Sequence, residues 1–294
     1  MACIEYIAKN FSAETEKVIA KANEICAEYM AQGFTLTLRQ LYYQFVARDL
    51  IANKQTEYKR IGSIINDARL AGRLDWDAIE DRTRNLEALS TWDSPKDILA
   101  AVAKQFRYDR WDSQEARIEV WIEKEALVGV IEPICQEYRV PFFACRGYSS
   151  QSESWRAGER FKEYQEAEQR VIILHLGDHD PSGIDMTRDN ADRLELFAPD
   201  AAEVRRLALN WDQVEAHKPP PNPCKITDSR ATGYIRKFGR ESWELDALDP
   251  AFISNLLRRE FESEIDKGRW DEAIEREKKA RERLAAMAQK WKDT

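Results

Sequence analysis

The stretch that most constrains the fold is an apolar run of strand length that ends at a pair of aspartates. Residues 171–176 read Val-Ile-Ile-Leu-His-Leu, and Gly177, Asp178, His179 and Asp180 follow them. A short run this rich in β-branched residues is typical of a buried parallel strand. In open α/β sheets, ligands bind at the carboxyl ends of such strands. The sequence therefore predicts an α/β fold with carboxylates at a functional sheet edge.

A second short strand ends in the same way. Residues 117–122 read Arg-Ile-Glu-Val-Trp-Ile and lead directly into Glu123. Asp178 and Asp180 are two residues apart, so on an extended backbone they face the same side and can share one divalent cation through oxygen ligands. Two acids so close are costly without a cation between them. We predict that Glu123 joins the two aspartates at this edge as a metal ligand.

Both acidic segments resemble the signature motifs of the Toprim domain. The first is Ile-Glu-Lys-Glu-Ala at 122–126, and the second is Gly-Asp-His-Asp-Pro-Ser-Gly-Ile-Asp at 177–185. The second motif is similar to that of the topoisomerase VI A subunit and its relative, the meiotic double-strand-break transesterase. Residues 241–248 also resemble a Glu-x-x-Glu-Leu-x-Ala-Leu stretch late in that subunit. The resemblance implies a Toprim-type, mainly parallel sheet flanked by helices, and Mg²⁺ as the metal.

The first eighty residues show a helical pattern. Apolar residues recur at helical spacing over 12–32, where Ser12 can serve as the N-cap, and this helix is predicted to be a packing or dimerisation arm. A helix capped by Thr37 and a second amphipathic helix over 58–70 follow. Residues 74–79 look extended. This order of elements is the outline of a winged-helix module.

One segment of this module also carries a resemblance. Thr-Leu-Arg-Gln-Leu-Tyr-Tyr at 37–43 resembles the Arg-Asp-Ile-Tyr-Tyr signature of the CAP-like winged-helix domain of the topoisomerase VI A subunit. Gln40 stands where that family usually has Asp. The resemblance implies that Tyr43 is the nucleophile and that Arg39 helps to activate it. The alternative is a tyrosine that packs in the core, and the spacing of the apolar residues assigns that part to Tyr42.

Charge is distributed unevenly along the chain. The net charge is −8, which argues against coating nucleic acid by bulk charge. Residues 37–73, however, hold seven basic residues against three acidic ones. This segment is either a solvated helix face or a surface that contacts phosphate, and we favour phosphate contact.

Other polar residues were weighed as ligands. His175 lies within the strand, and alternation places His179 on the face opposite the two aspartates, so both are expected to pack and not to bind metal. Asp185 falls in the following helix, where we expect it to contact the metal ligands and not the metal itself. The polar loop 146–152 either contacts phosphate or caps the next helix.

Composition excludes several classes of protein. With 294 residues, 43% hydrophobic and 33% charged, the chain can form two domains. It shows no apolar run long enough to span a membrane and no secretory signal, so we expect a cytoplasmic protein. Five cysteines lack Cys-x-x-Cys spacing, which favours reduced thiols over a zinc site. No P-loop is present, so ATP-driven strand passage would need a separate ATPase subunit.

These patterns predict a division into four parts. Residues 1–33 form a helical arm, 34–92 a winged-helix DNA-binding domain, 93–115 a linker helix and 116–294 a Toprim domain with a helical extension. Within the last part, residues 140–144 and 204–209 are predicted strands, the proline-rich residues 218–223 are extended, and the chain is helical from 252 onward.

The predicted function is Mg²⁺-dependent cleavage of double-stranded DNA by tyrosine transesterification. Tyr43 attacks, Asp178 and Asp180 bind Mg²⁺, Glu123 binds metal or moves a proton, and Arg39 or Lys124 stabilises the phosphate. The alternatives are a Toprim endonuclease that uses water and a DNA-binding protein without catalysis. The resemblance further implies a homodimer whose sites form between protomers, with Tyr43 far from the acids of its own chain.

Overall fold

The computed structural model describes residues 3–81 and 89–291. Its helices, in chain order, are α1 (Ala13–Ala31), α2 (Leu38–Ala47), α3 (Gln55–Leu70), α4 (Pro95–Gln105), α5 (Val128–Tyr138), α6 (Gln151–Glu166), α7 (Pro181–Phe197), α8 (Trp211–His217), α9 (Ala231–Phe238), α10 (Pro250–Glu264) and α11 (Lys267–Lys290). Its strands are β1 (Ala116–Ile122), β2 (Phe142–Ala144), β3 (Arg170–Leu176), β4 (Ala202–Ala208), β5 (Asn222–Pro223) and β6 (Glu241–Ser242).

The centre of the molecule is a parallel sheet with the strand order β2-β1-β3-β4. Every neighbouring pair in it is parallel, and Ile122 at the end of β1 lies opposite Leu176 at the end of β3. The helices that connect successive strands pack against the sheet. The prediction of an α/β fold with a parallel sheet flanked by helices is therefore confirmed.

Both faces of the sheet are covered, which explains why its central strands are almost entirely apolar. On one face, Val120 and Leu174 belong to a core that α5 and α10 complete. On the other, Trp121 and Ile173 pack into a second core with α6 and α7. This two-sided burial leaves the strand ends as the part of the sheet where polar side chains can gather.

The helices α1, α2 and α3 form a separate core at the N-terminal side of the chain. Ile25 of α1, Leu41 and Phe45 of α2, and Ile61 and Ile65 of α3 are all buried in it. Helix α1 begins after the predicted N-cap, Ser12, and α2 begins after Thr37 in a capping box with Gln40. The predicted arm thus packs within the same core as the two helices that follow it.

The predicted extended wing is wrong. Trp76–Ala78 form a single 3₁₀ turn. Among the described residues, the β-type pairing of segment 74–79 is limited to an isolated bridge between Leu36 and Ile79. The turn forms because the Asp75 side chain accepts a hydrogen bond from the Asp77 backbone at 3.0 Å. A local bond of this kind competes with strand pairing. Part of the predicted 34–92 domain, residues 82–88, lies outside the described residues.

The remaining elements lie where the sequence predicts them, with small shifts. Ser94 caps α4, the predicted linker helix, and α4 packs along α11. The proline-rich segment is free of helix and contributes Pro223 to the short antiparallel pair of β5 and β6. The C-terminal helical region is two helices, because Ile265 and Asp266 are extended between α10 and α11.

None of the helices in the part of the chain that the structure describes is long and apolar enough to cross a membrane. All five cysteines are free thiols.

Candidate functional site

The two acidic strand ends meet at the carboxyl edge of the sheet. Because Ile122 and Leu176 are in register, Glu123 lies beside Gly177, and Asp178 follows one residue later on the neighbouring strand end. The Glu123 backbone N–H donates to the Leu176 carbonyl at 2.8 Å, and the Asp178 N–H donates to Oε2 of Glu123 at 2.9 Å. Backbone pairing of the strands and this backbone-to-side-chain hydrogen bond thus hold the two residues at one place.

Asp178 is buried, and both of its carboxylate oxygens have partners. Oδ1 accepts a hydrogen bond from the Leu245 N–H at 2.8 Å, and Oδ2 lies 3.0 Å from the Lys124 ammonium. Burial raises the pKa of Asp178 to about 7, with Lys124 opposing the rise and Glu123 and Asp246 adding to it. The edge therefore carries more negative charge than its own cations compensate.

Lys124 is the central cation of this edge. Its Nζ lies 3.0 Å from Asp178, 2.8 Å from Glu244 and 3.0 Å from Asp246. Burial alone disfavours the ammonium, but the attraction of Asp246, Asp178 and Glu244 outweighs burial and raises the pKa of Lys124. The side chain stays protonated and holds three carboxylates together.

Glu244 and Asp246 are site residues that the sequence reasoning missed. They flank the first residue of a 3₁₀ turn, Leu245–Ala247, and Asp246 is only 2% exposed. Burial works to raise the pKa of Glu244, but Lys124 and Arg39 outweigh it and lower that pKa to about 2. The sequence feature that could have identified them is their spacing. Glu244 and Asp246 are two residues apart, as are Asp178 and Asp180.

Asp180 is engaged differently from the other two predicted ligands. It is the N-cap of α7, and its Oδ1 accepts a hydrogen bond from the Gly183 N–H at 2.6 Å. Its charge still acts on Glu123: burial raises the pKa of Glu123, Asp180 adds to the rise, and the Asp178 N–H, Lys124 and Arg206 oppose it.

The three predicted ligands do not form a ready-made metal site. In residues 3–81 and 89–291, no three His, Cys, Asp or Glu side chains are grouped so that they could hold a metal ion. The predicted convergence of Glu123, Asp178 and Asp180 on one cation is therefore not found in this arrangement, because Lys124, backbone N–H groups and the cap of α7 occupy their oxygens. The donors themselves, all carboxylate oxygens with excess negative charge, fit Mg²⁺.

Arg206 of β4, also missed from the sequence, shapes the acidic loop. It is half-buried and donates to the carbonyl oxygens of Gly177 at 3.0 Å, Asp178 at 2.6 Å and Gly183 at 2.7 Å. Burial lowers the pKa of Arg206 to about 10, although Glu123, Asp178 and Asp180 oppose the shift. Because its hydrogen bonds go to carbonyl groups, the guanidinium fixes the backbone that carries the aspartates without neutralising them directly.

Gly183 allows this loop to close. A Cβ at this position would overlap the carbonyl oxygen of Asp178, so only glycine lets the start of α7 approach the loop. The glycine of the Asp-x-Asp-Pro-x-Gly pattern thus has a packing reason within this chain.

The two histidines pack, as predicted. His175 Nδ1 lies 2.8 Å from the Thr187 hydroxyl, and His179 Nδ1 lies 2.8 Å from the Tyr234 hydroxyl. Burial, assisted by Arg206, lowers the pKa of His175 to about 3 and that of His179 to about 4. Both imidazoles are therefore neutral, and His179 lies within a cluster of aromatic rings that includes Trp243.

Tyr43 and Arg39 lie against this same cluster within one chain. Helix α2 packs on the Leu245–Ala247 turn. Arg39 forms an ion pair with Glu244, its Nε lies 3.0 Å from Oδ2 of Asp246, and its Nη2 donates to the Tyr43 hydroxyl at 3.4 Å. The sequence predicts that Tyr43 lies far from Glu123, Asp178 and Asp180 of its own chain. Arg39 links Tyr43 to Glu244, and Lys124 joins Glu244 to Asp178, so Tyr43 and Asp178 belong to one network within the chain. Sequence reasoning missed it because the α2 contact joins residues about two hundred positions apart.

Both tyrosines of α2 are buried. Tyr43 is 3% exposed and also accepts a hydrogen bond from Asn222 at 3.4 Å. Burial raises the pKa of Tyr43, and Glu244 and Asp246 add to the rise, while Asn222 and Arg39 oppose it. Tyr42 donates to Asn53 at 2.9 Å and packs against Tyr58, which agrees with its predicted packing role.

An open cleft of about 560 Å³ runs beside the cluster. It is lined by Arg39, Glu123, Lys124, Glu125, Ala126, Arg146, Asp178, Lys225, Glu244 and Asp246. Asp178 and Asp246 are buried in it, whereas Lys225 and Arg146, which forms an ion pair with Glu125, are exposed and form its basic wall. A cleft with this arrangement can accept a phosphate chain along the basic wall and present its ester to the acids.

The loop after β2 forms part of this wall. Gly147 has a φ of +103°, which gives a tight turn, and Ser150 caps α6 through the Glu153 N–H at 3.2 Å. Tyr148 donates to Asp185 at 2.7 Å. Asp185 therefore supports the loop that carries Arg146, and Ser150 has the capping role that was the alternative to phosphate contact.

Most basic residues of the 37–73 segment have partners inside the chain. Arg48 pairs with Glu28, Arg60 with Glu57, and Arg73 with Glu16. Arg69 lies over the ring of Trp76. Exposed ion pairs of this kind contribute little to stability, so an external anion such as phosphate can compete for these guanidinium groups.

No family model matches this chain, and no curated protein matches it.

Proposed function

We propose that this protein cleaves double-stranded DNA with the help of Mg²⁺, and that the Tyr43 hydroxyl is the attacking group. One observation supports the proposal above all others. The Tyr43 hydroxyl and the acids at the sheet edge belong to one continuous network, which runs through Arg39, Glu244 and Lys124 to Asp178.

The residues divide the chemistry among them. Glu123, Asp178 and Asp180 would hold Mg²⁺, which would supply charge compensation at the scissile phosphate. Lys124 is protonated and stabilises negative charge on that phosphate once it turns from Asp178. Arg39 lies beside the phenolic oxygen, where its charge favours the deprotonated nucleophile. If the two aspartates alone hold the metal, Glu123, with its raised pKa, is instead suited to give a proton to the leaving oxygen.

The nucleophile must be uncovered before it can act. Tyr43 is buried between α2 and the turn that contains Asp246, and the ion pairs of Arg39 hold these two elements together. Separation of α2 from the turn exposes the hydroxyl and releases Glu244 and Asp246. DNA that enters the cleft offers Arg39 a phosphate in place of these carboxylates.

A water-using Toprim endonuclease is the second candidate. Burial of the Tyr43 hydroxyl and the raised pKa of its phenol favour it, because a covered, protonated phenol is a poor nucleophile. In that reaction the acids and Mg²⁺ have the same roles, and Tyr43 only holds α2 against the turn.

One experiment separates the two candidates. Supercoiled DNA is incubated with Mg²⁺ and the wild-type, Tyr43→Phe or Tyr42→Phe protein, and then treated with detergent, with or without protease. Transesterification predicts linear or nicked DNA that carries protein until protease is added, and no cleavage by Tyr43→Phe. Tyr42→Phe is the matched control, since it removes the neighbouring buried hydroxyl and should still cut. Undiminished cutting by Tyr43→Phe would establish water as the nucleophile.

A homodimer is part of the proposal, on the resemblance to the topoisomerase VI A subunit, whose active sites form between two protomers. Mixing Tyr43→Phe with Asp178→Asn protein tests this arrangement. If sites form between protomers, a mixed dimer contains one site with both Tyr43 and Asp178. Activity should then return to roughly a quarter of wild type, because half of the dimers are mixed and each has one intact site of two. A mixture as inactive as its components would show that each site lies in one chain.

A further inference from the structure

A group of arginines lies at the opposite, amino edge of the sheet. Arg110 and Arg139 both approach Oε1 of Glu277, at 3.1 and 3.4 Å, and the Tyr108 backbone N–H donates to Oε2 at 3.1 Å. Glu277 is 2% exposed. Burial lowers the pKa of Arg139, and the attraction of Glu277 opposes this lowering. The positive charges of Arg107, Arg110 and Arg281 are close enough to lower the pKa of Arg139 further.

Two guanidinium groups, Arg110 and Arg139, therefore share one buried carboxylate, and Arg107 and Arg281 lie near Arg139. Arg107 and Arg281 also donate to carbonyl groups at the end of α4, Arg107 to Phe106 at 2.8 Å and Arg281 to Lys104 at 2.8 Å. The dipole of a helix end compensates about half a charge, so a surplus of positive charge remains. Consistent with this, the buried Nε atoms of Arg110 and Arg139 find no hydrogen-bond acceptor in the described part of the chain.

A cavity of about 300 Å³ opens beside this group. Arg107, Arg117 and Arg139 line it together with the rings of Tyr108 and Tyr164.

The acids of the cavity wall are already paired. Asp109 is held by Arg117. Glu119 accepts from Arg160 at 2.8 Å and from the Trp121 indole at 3.0 Å. The positive charge of Arg107 and Arg139 is therefore not matched within the wall.

We propose that this cavity binds a small phosphate-bearing anion. The planar fork of arginine fits the oxygens of phosphate, and several arginines around one cavity favour a multiply charged group. The volume admits a ligand from orthophosphate to a mononucleotide. The site lies at the opposite edge of the sheet from Asp178, so it does not depend on the cleavage proposal. A bound anion would join the segment after α4, the end of α5 and α11 by relieving the repulsion among their arginines.

The test is binding and thermal stability of the full chain with orthophosphate, pyrophosphate or adenosine monophosphate, at ionic strength matched with sodium chloride. We expect a rise of several degrees in Tm with the preferred anion, and saturable binding by calorimetry. Pyrophosphate as the tighter ligand would identify an inorganic anion, and adenosine monophosphate as the tighter ligand would identify a nucleotide. A rise no greater than with chloride would overturn the proposal.

Variants locate the site. Arg139→Gln and Arg107→Gln should each weaken binding at least tenfold. Arg107 is exposed and donates to the carbonyl groups of Lys104 and Phe106, so Arg107→Gln keeps the test valid if Arg139→Gln fails to fold. Arg60→Gln on α3 is the control, with the same change in charge and no expected effect. Unchanged affinity in Arg107→Gln and in folded Arg139→Gln would place any bound anion elsewhere.

Discussion

The two edges of the central sheet carry an excess of opposite charge. At the carboxyl edge, one ammonium group, Lys124, is surrounded by Asp178, Glu244 and Asp246. At the amino edge, one carboxylate, Glu277, is approached by Arg110 and Arg139. A buried charge needs a partner, and at each edge one ion of the minority sign contacts several ions of the majority sign. Each also keeps a surplus of the majority sign, which indicates that the carboxyl edge suits a cation and the amino edge an anion.

The edges also differ in what they connect. The carboxyl network joins the sheet to α2, an element of the N-terminal core. The amino network joins α11 to the segment after α4 and the end of α5, all of which surround the sheet. A change at the carboxyl edge can therefore alter the exposure of Tyr43, whereas a change at the amino edge should leave it covered.

The largest expected effect is loss of catalysis at the carboxyl edge. Asp178→Asn should reduce DNA cleavage to background while DNA binding and Tm stay close to wild type. The amide removes a metal ligand and some repulsion, and Lys124 keeps Glu244 and Asp246 as partners. Gel cleavage and DNA-binding assays check this, with the exposed Asp212→Asn as the control. Cleavage by Asp178→Asn at the wild-type rate would remove the acidic edge from the mechanism.

Removing the central ion from each edge tests the comparison directly. Lys124→Met and Glu277→Gln should each destabilise the protein by about 3 kcal/mol, because buried charges of one sign lose their partner. Mg²⁺ should restore stability to Lys124→Met, and pyrophosphate should restore it to Glu277→Gln. Urea denaturation of both variants with both ions measures this. Equal recovery of both variants by either ion would mean that ionic strength acts, and not a specific site.

A smaller effect is expected from the arginine that shapes the acidic loop. Arg206→Lys keeps the charge but loses the fork that binds the carbonyl groups of Gly177, Asp178 and Gly183. We expect the cleavage rate to fall about 10- to 100-fold and half-saturation to need more Mg²⁺, with DNA affinity unchanged. The neighbouring Arg205→Lys, which alters exposed ion pairs with Glu203, is the matched control. Equal losses in both variants would contradict a positioning role for Arg206.

The sequence predicts the parts of the molecule that depend on local pattern. The apolar runs that became β1 and β3 lead into Glu123 and Asp178, and parallel pairing brings these acids together without further information. The caps of α1 and α2 were likewise readable, because Ser12 and Thr37 bond to backbone groups three residues away.

What could not be predicted depends on contacts between distant residues. Lys124 meets Glu244 across 120 positions, and Arg39 meets it across 205. No periodicity in either segment encodes such a pairing. The prediction of an extended wing was wrong for the opposite reason. A local hydrogen bond, from the Asp77 backbone N–H to the Asp75 side chain, determines the conformation there.

The covered position of Tyr43 would lower the rate of the proposed cleavage reaction. If only molecules with α2 detached can attack, the observed rate is the intrinsic rate multiplied by the population of that detached state. Each ~1.4 kcal/mol contributed by the contact between α2 and the turn lowers this population tenfold. The protein would then remain inert towards DNA that it meets in passing, and it would break only DNA that stays bound long enough to displace Arg39 from Glu244.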